Sequence, residues 1–225
     1  IISGAILLTV SSFVVAKEMP PIGGEPKGFQ LPKTTTFTLS NGLKTTFVDY
    51  GKTPKVTVRL VTCTGNVDDG DKPWLSDISY EMIKQGTKTQ SALEIAEKAA
   101  SMGGEVQTSV SMGVSTLGMD VLSEFGDDAI VLLADIAQNS TLPQKDFDRI
   151  KKDFQRQLKV QQSQPQSQAG EAFFKAIYGN HPYGVSFPTE DSLNTLSNSD
   201  VAKFLQDNFV ASRSHLYVSG VFNHA

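Results

Sequence analysis

The chain has 225 residues, 39% of them hydrophobic and 20% charged, with a formal net charge of −4 at pH 7. That apolar share is enough to bury a core, whereas an acidic balance without a basic stripe gives no electrostatic case for a nucleic-acid partner. One cysteine, Cys63, excludes a disulfide framework.

The first segment, Ile1 to Ala16 (IISGAILLTVSSFVVA), is uncharged and rich in Ile, Leu and Val. It is short for a membrane span and ends in small residues, with Val14 and Ala16 spaced as signal-peptidase cleavage requires. It reads as a secretory signal trimmed of its basic leader, with a retained anchor as the alternative. That predicts the periplasm or cell envelope of a bacterium, with no stable membrane insertion. Residues 17–33 (KEMPPIGGEPKGFQLPK) are dense in Pro and Gly and predict an extended linker. The folded domain is expected over 34–225.

Within it, Phe37 and Leu39, then Leu43, Thr45 and Phe47, alternate around Asn41-Gly42, which predicts a hairpin. Val56, Val58 and Leu60 continue a third strand, and the apolar run VTVRLVTCTG around Cys63 predicts a small buried thiol more than a nucleophile. A helix over 74–85 closes at Gly86. Ser91 and Glu94 form a capping box for the next helix, which Gly103-Gly104 stops. Strands follow at about 105–111 and 114–121. Phe125, Ala129, Leu132, Leu133 and Ile136 mark an amphipathic helix, and Pro143 opens a long one carrying Phe147, Ile150, Phe154 and Leu158 on one side. These stripes are core positions. A glutamine-rich stretch broken by Pro165 predicts a helix–helix junction, with helices over 167–178 and 199–208 and a last strand over 214–222.

Residues that carry chemistry are few. His181 precedes a proline and so sits in an extended or turn segment; His215 lies in a strand, and His224 is one residue from the end. None has metal-ligand spacing to another His or to Cys. No nucleophile elbow, phosphate loop or dinucleotide fingerprint occurs. Asn139-Ser140-Thr141 fits a glycosylation sequon, a triplet common by chance.

The most informative stretch is Trp74 to Thr87, WLSDISYEMIKQGT. It resembles the zinc helix of the pitrilysin/insulinase metallopeptidases, G-L-x-H-F-L-E-H-x-x-x-x-G-T, whose H-x-x-E-H core supplies two ligands and a general base. Leu75, Gly86 and Thr87 keep the frame, but Asp77 and Glu81 stand at the two His positions and Tyr80 at the Glu position. Zinc favours neutral imidazole or thiolate ligands, and two carboxylates suit harder cations. A phenol, titrating near pH ~10, is a donor at neutral pH and not a base. The family's third ligand, a Glu in a later helix, falls on Gln157 within RIKKDFQRQL, or on Arg156 in a shifted alignment. Ile150 replaces a supporting Glu. The resemblance extends over about Thr35 to Phe222, through TFTLSNGLKTTFV, LEIAEKAASMGGEVQTSVSMGVSTLGMDVL, HPYG at His181–Gly184 and SHLYVSGVF.

The resemblance implies an α+β fold: a mixed, largely antiparallel sheet with helices packed mainly on one face, the first of two homologous domains. No second copy occurs in the chain. It implies zinc as the family cofactor while its ligands are absent here, so no catalytic and no metal residue is expected. Peptide in that family adds a strand to a sheet edge near the zinc. The matching positions are Gly104, Glu105, Val106, Gln107, Thr108 and Ser109, with an ordinary strand as the plainer reading. The function expected is a non-catalytic subunit of a secreted insulinase-type peptidase that closes the peptide chamber of a zinc-bearing homologue. The alternatives are a structural or peptide-binding protein with no protease role, and a metallopeptidase holding another metal at Asp77 and Glu81.

Overall fold

The computed structural model describes residues 23–24, 28 and 30–222. The expected signal, most of the linker and His224 lie outside the described residues. The chain divides into two units, Ile1–Leu31 and Pro32–Ala225. The described residues before Thr34 carry neither helix nor strand.

The second unit is built on a six-stranded sheet ordered β1-β2-β6-β3-β5-β4. Its strands are β1 (Thr34–Thr38), β2 (Lys44–Asp49), β3 (Lys55–Thr62), β4 (Gln107–Val110), β5 (Ser115–Leu122) and β6 (Ser214–Gly220). Every pairing is antiparallel except β2 with β6. The register places Phe47, Val218, Val58 and Met119 in one row, which is one face of the sheet. The neighbouring row, Thr46, Tyr217, Arg59 and Gly118, belongs to the opposite, polar face. Apolar side chains therefore cover one side, and the helices pack there.

Those helices are α1 (Leu75–Met82), α2 (Ala92–Ser101), α3 (Gly126–Asn139), α4 (Gln144–Ser163), α5 (Pro165–Tyr178), α6 (Glu190–Thr195) and α7 (Asn198–Asn208). Two cores result. One joins the sheet to α2 and α3 through Val58, Leu117, Met119, Ala129, Leu132 and Ile136. The other joins α1 to α4, α6 and α7 through Ile78, Met82, Ile150, Leu158, Leu193 and Phe204.

Most expected elements are present, with differences that have local causes. The first hairpin turns through five residues, Leu39–Leu43, because Thr38 pairs with Lys44. Gly42 takes φ 87° there, and Asn41 Oδ1 accepts from the Leu43 amide at 3.0 Å. The motif helix ends at Met82, earlier than 85, and its last residues run as a turn into Gly86 at φ 142°. The helix expected from 167 begins at Pro165 itself, since a missing N–H costs nothing at the first helical position. Helix α6 was not expected; Thr189 caps it after Pro188 by accepting from the Ser192 amide at 3.0 Å. Cys63 is a correction: it is exposed, not buried. Alternation at the end of β3 turns Thr62 and Thr64 inward, and the residue between them points out.

Candidate functional site

Helix α1 starts in an unusual way. Trp74, at its N-cap, has φ 71°, the left-handed region that a bulky residue rarely occupies. Asp69 supports that turn by accepting from the Trp74 amide at 2.9 Å and the Ser76 amide at 2.8 Å. The indole packs edge-on to Phe154 and Phe187, with centroids 5.7 and 6.2 Å away. Backbone donors, a carboxylate acceptor and aromatic packing thus fix the helix start, and with it the residues that follow.

Asp77, Tyr80 and Glu81 come next, and each is engaged by the protein. Asp77 accepts from Asn66 Nδ2 at 2.6 Å, and the same amide reaches Ser76 Oγ at 3.0 Å and Asp69 Oδ2 at 3.4 Å. Burial raises the Asp77 pKa, the Glu81 charge adds to the rise, and the Asn66 hydrogen bond opposes it. Burial likewise pushes Asp69 up to about 6, against the hydrogen bonds from Ser76 and Asn66. Glu81 is paired with Lys84 Nζ at 2.9 Å and accepts from Thr108 Oγ1 at 3.2 Å. Lys84 also lies 3.3 Å from the Thr108 hydroxyl.

Tyr80 points the other way. It is 1% exposed, packs edge-on against Phe209 at 5.6 Å, and belongs to the sheet-side core. Its hydroxyl makes no hydrogen bond of ordinary geometry, and burial pushes its pKa to about 12 against the weak influence of the Thr62 and Ser115 hydroxyls beside it. A neutral buried phenol has neither the basicity nor the access to take a proton from water. Gln157 is exposed on α4, and no hydrogen bond or ion pair joins it to Asp77, Tyr80 or Glu81. The neighbouring Leu158 is buried in the core that joins α4 to α1, with Phe147 and Ile150.

Zinc does not fit this donor set. One carboxylate is held by a neutral amide, the other already has an ammonium partner, the phenol is turned into the core, and the fourth position is an exposed amide. Among the described residues no group of three His, Cys, Asp or Glu is placed to hold a metal ion.

The six peptide-binding candidates lie at the sheet margin. Gln107, Thr108 and Ser109 are in β4, which is the last strand of the sheet and pairs only with β5. Gly104, Glu105 and Val106 lead into it, shortening the expected 105–111 strand. At Gly104 a side chain would meet the Asp120 carbonyl at 2.0 Å, so the close crossing requires glycine. The structure joins this edge to the motif helix through Glu81, Lys84 and Thr108. Asn66, Asp69 and Lys84 had not been singled out in the sequence. Lys84, three residues after Glu81 in the stretch expected to be helical, carried a readable signal; the roles of Asn66 and Asp69 did not.

The two described histidines make no hydrogen bond to Asp77, Tyr80 or Glu81. His215 Nε2 is 2.8 Å from Thr46 Oγ1 and its ring stacks on Tyr217 at 4.1 Å. His181 Nδ1 accepts from the Tyr183 amide at 3.2 Å, which shapes the HPYG turn.

The sequence pattern of the family described as Insulinase (Peptidase family M16) matches residues 46–189. An uncharacterised zinc protease of Bacillus subtilis (strain 168), YmxG, is 26% identical over 188 residues, covering 82% of this chain and 46% of the relative. The mitochondrial-processing peptidase subunit alpha of Solanum tuberosum is 26% identical over 207 residues, covering 91% of this chain and 40% of that protein. This chain therefore spans about half the length of the curated relatives it matches. In structure it is similar to the peptidase M16 inactive domain of Pseudomonas fluorescens, with TM-score 0.78, 21% identity and coverage of 84% and 46% of the two chains. It is also similar to the first half of the periplasmic protease PqqL of Escherichia coli, with TM-score 0.75, 16% identity and coverage of 87% and 44%. At these identities the structural likeness speaks for the fold.

Proposed function

We propose a function from one premise: the chain belongs to the insulinase family, peptidase family M16. The domain is a non-catalytic member that lends the family scaffold to a peptidase assembly and leaves bond cleavage to a zinc-bearing homologue. The observation that carries this is the state of α1, where the positions of ligands and base are tied to Asn66, to Lys84 and to the core. No zinc is held at Asp77, Tyr80, Glu81 and Gln157 in this reading.

What the domain retains is the margin beside that helix. An edge strand offers main-chain donors and acceptors to an extended peptide, and needs no particular side chain to do so. Gly104 to Ser109 are the residues we assign to peptide contact, within a chamber closed jointly with the homologue. The domain, 34–225, acts as the first of two, and the likeness to a periplasmic protease supports export through residues 1–16 to the periplasm or cell envelope. Among the described residues no helix is long and apolar enough to cross a membrane.

A second reading, peptide binding with no protease role, is favoured by the same exposed β4 edge. The two separate on mixing. The protein and an H-x-x-E-H homologue encoded beside it are assayed on an unstructured peptide, singly and together. Cleavage that needs both proteins supports the assembly. Cleavage by the homologue alone, unchanged by adding this protein, rejects it in favour of the second reading.

A further inference from the structure

A cavity of about 270 Å³ opens beside the start of α1. We propose that it is a subsite for one basic side chain, lysine or arginine, of a peptide paired along the β4 edge. This rests on the peptide-binding reading above and names the kind of peptide.

The cavity is continuous with the edge strand. Met112, one of its walls, stands two residues beyond Val110, where β4 ends. The Asn66 and Val67 amides donate to the carbonyls of Ser111 and Met112 at 3.1 and 2.9 Å, which fixes the opposite wall to the same hairpin. The cavity thus lies beyond the Val110 end of β4, and in this reading the bound chain runs past it there. Its volume lies below the range of roughly 300–1,000 Å³ typical of sites for whole small molecules, and suits a single long side chain.

Wall chemistry selects the occupant. Pro73, Trp74, Phe174 and Tyr183 present apolar and aromatic surface, which suits the methylene stem of Lys or Arg and the cation at its end. Asp69 lines the same cavity at 5% exposure, and its partners are the Trp74 and Ser76 amides and Asn66, all neutral. Asp77, behind it, is met only by the same neutral Asn66 amide. No Lys or Arg is among the lining residues. A buried carboxylate and a half-buried one beside it, without a counter-charge, favour a cation brought by the ligand. An acidic or purely apolar side chain leaves that charge uncompensated.

Trp74 is the single tryptophan of the chain, so its fluorescence reports on the cavity. The test titrates the full-length protein with three blocked decapeptides of alternating valine and threonine, carrying at the centre arginine, neutral citrulline or glutamate. The arginine peptide is expected to bind about tenfold more tightly than the citrulline peptide, with the glutamate peptide weakest. Ser186→Arg places a cation at the cavity wall while leaving the Asp69 hydrogen bonds intact. It is expected to remove the arginine preference and keep the citrulline affinity. Equal affinity for arginine and citrulline peptides overturns the subsite while sparing the edge. No binding of any of the three overturns the peptide-binding reading and the subsite with it.

Discussion

Asp69 links the conformation of a strained residue to the protonation of a buried carboxylate. Its pKa of about 6 lies above the ordinary 3.8. The folded state therefore binds this proton more tightly than the unfolded chain. The stability it contributes is complete below the ordinary value and is lost as pH rises through about 6. Between pH 7 and pH 5 urea denaturation should show a gain of roughly 1 kcal/mol. Asp69→Asn should remove that gain; the same pH dependence in the variant would assign the proton elsewhere. Below that window the sign reverses. Asp68 and Asp200, whose burial is outweighed by hydrogen bonds from Gly65, Thr64 and Arg213 and from Lys72 and Ser197, hold lowered pKas and lose their contributions in acid. Tyr80 gives a test that needs no metal. Its hydroxyl is buried without a hydrogen bond of ordinary geometry, so Tyr80→Phe should change thermal stability by no more than about 1 kcal/mol. Tyr80→Glu, which restores the family residue, buries a carboxylate in the sheet-side core and should destabilise by about 3 kcal/mol or more. Were Tyr80→Glu tolerated without loss, the hydroxyl's environment would be wetter than described.

Helix α1 and strand β4 act as one unit through Lys84. Its ammonium meets Glu81 at 2.9 Å and Thr108 at 3.3 Å, across from helix to edge strand. Lys84→Met removes this tie but leaves the core contacts, so global stability should change by no more than about 1 kcal/mol for a half-exposed pair. Hydrogen exchange of the β4 amides should quicken selectively; exchange unchanged in β4 would mean that hairpin pairing alone holds the edge. Helix α2 offers a control remote from the site. Ser91 accepts from the Glu94 amide and Glu94 accepts from the Ser91 amide at 2.7 Å, so Ser91→Ala should cost about 1 kcal/mol by thermal melting. These elements were legible because periodicity and caps are local. The apolar stripes of α3 and α4, the capping box and the Gly103 stop needed no tertiary knowledge. Helix α6 was not legible, since six residues are too few for a periodic pattern. Cys63 misled because an apolar run around a residue says nothing of which face it takes at a strand's end.

For the molecule as a whole, the departure from the family motif was readable at four positions, whereas the contacts that engage Asp77 and Glu81 were not. Asp77 at the end of an Asn66 amide, and Glu81 against the Thr108 hydroxyl, are contacts over ten residues or between elements, beyond the reach of helical spacing. The family frame located Gln157, and the structure adds that it is exposed while Leu158 turns inward. In the reading proposed here, the motif positions carry a hydrogen-bonded polar cluster next to the β4 edge of the sheet.

The most direct measurement is the metal content and peptide hydrolysis of the full-length protein purified without chelators, assayed alone and with its H-x-x-E-H homologue. The predicted result is no stoichiometric zinc and no cleavage by the protein alone, with cleavage appearing when the two are combined. One tightly held zinc per chain, lost on Asp77→Ala together with an unaided hydrolytic activity, would contradict it.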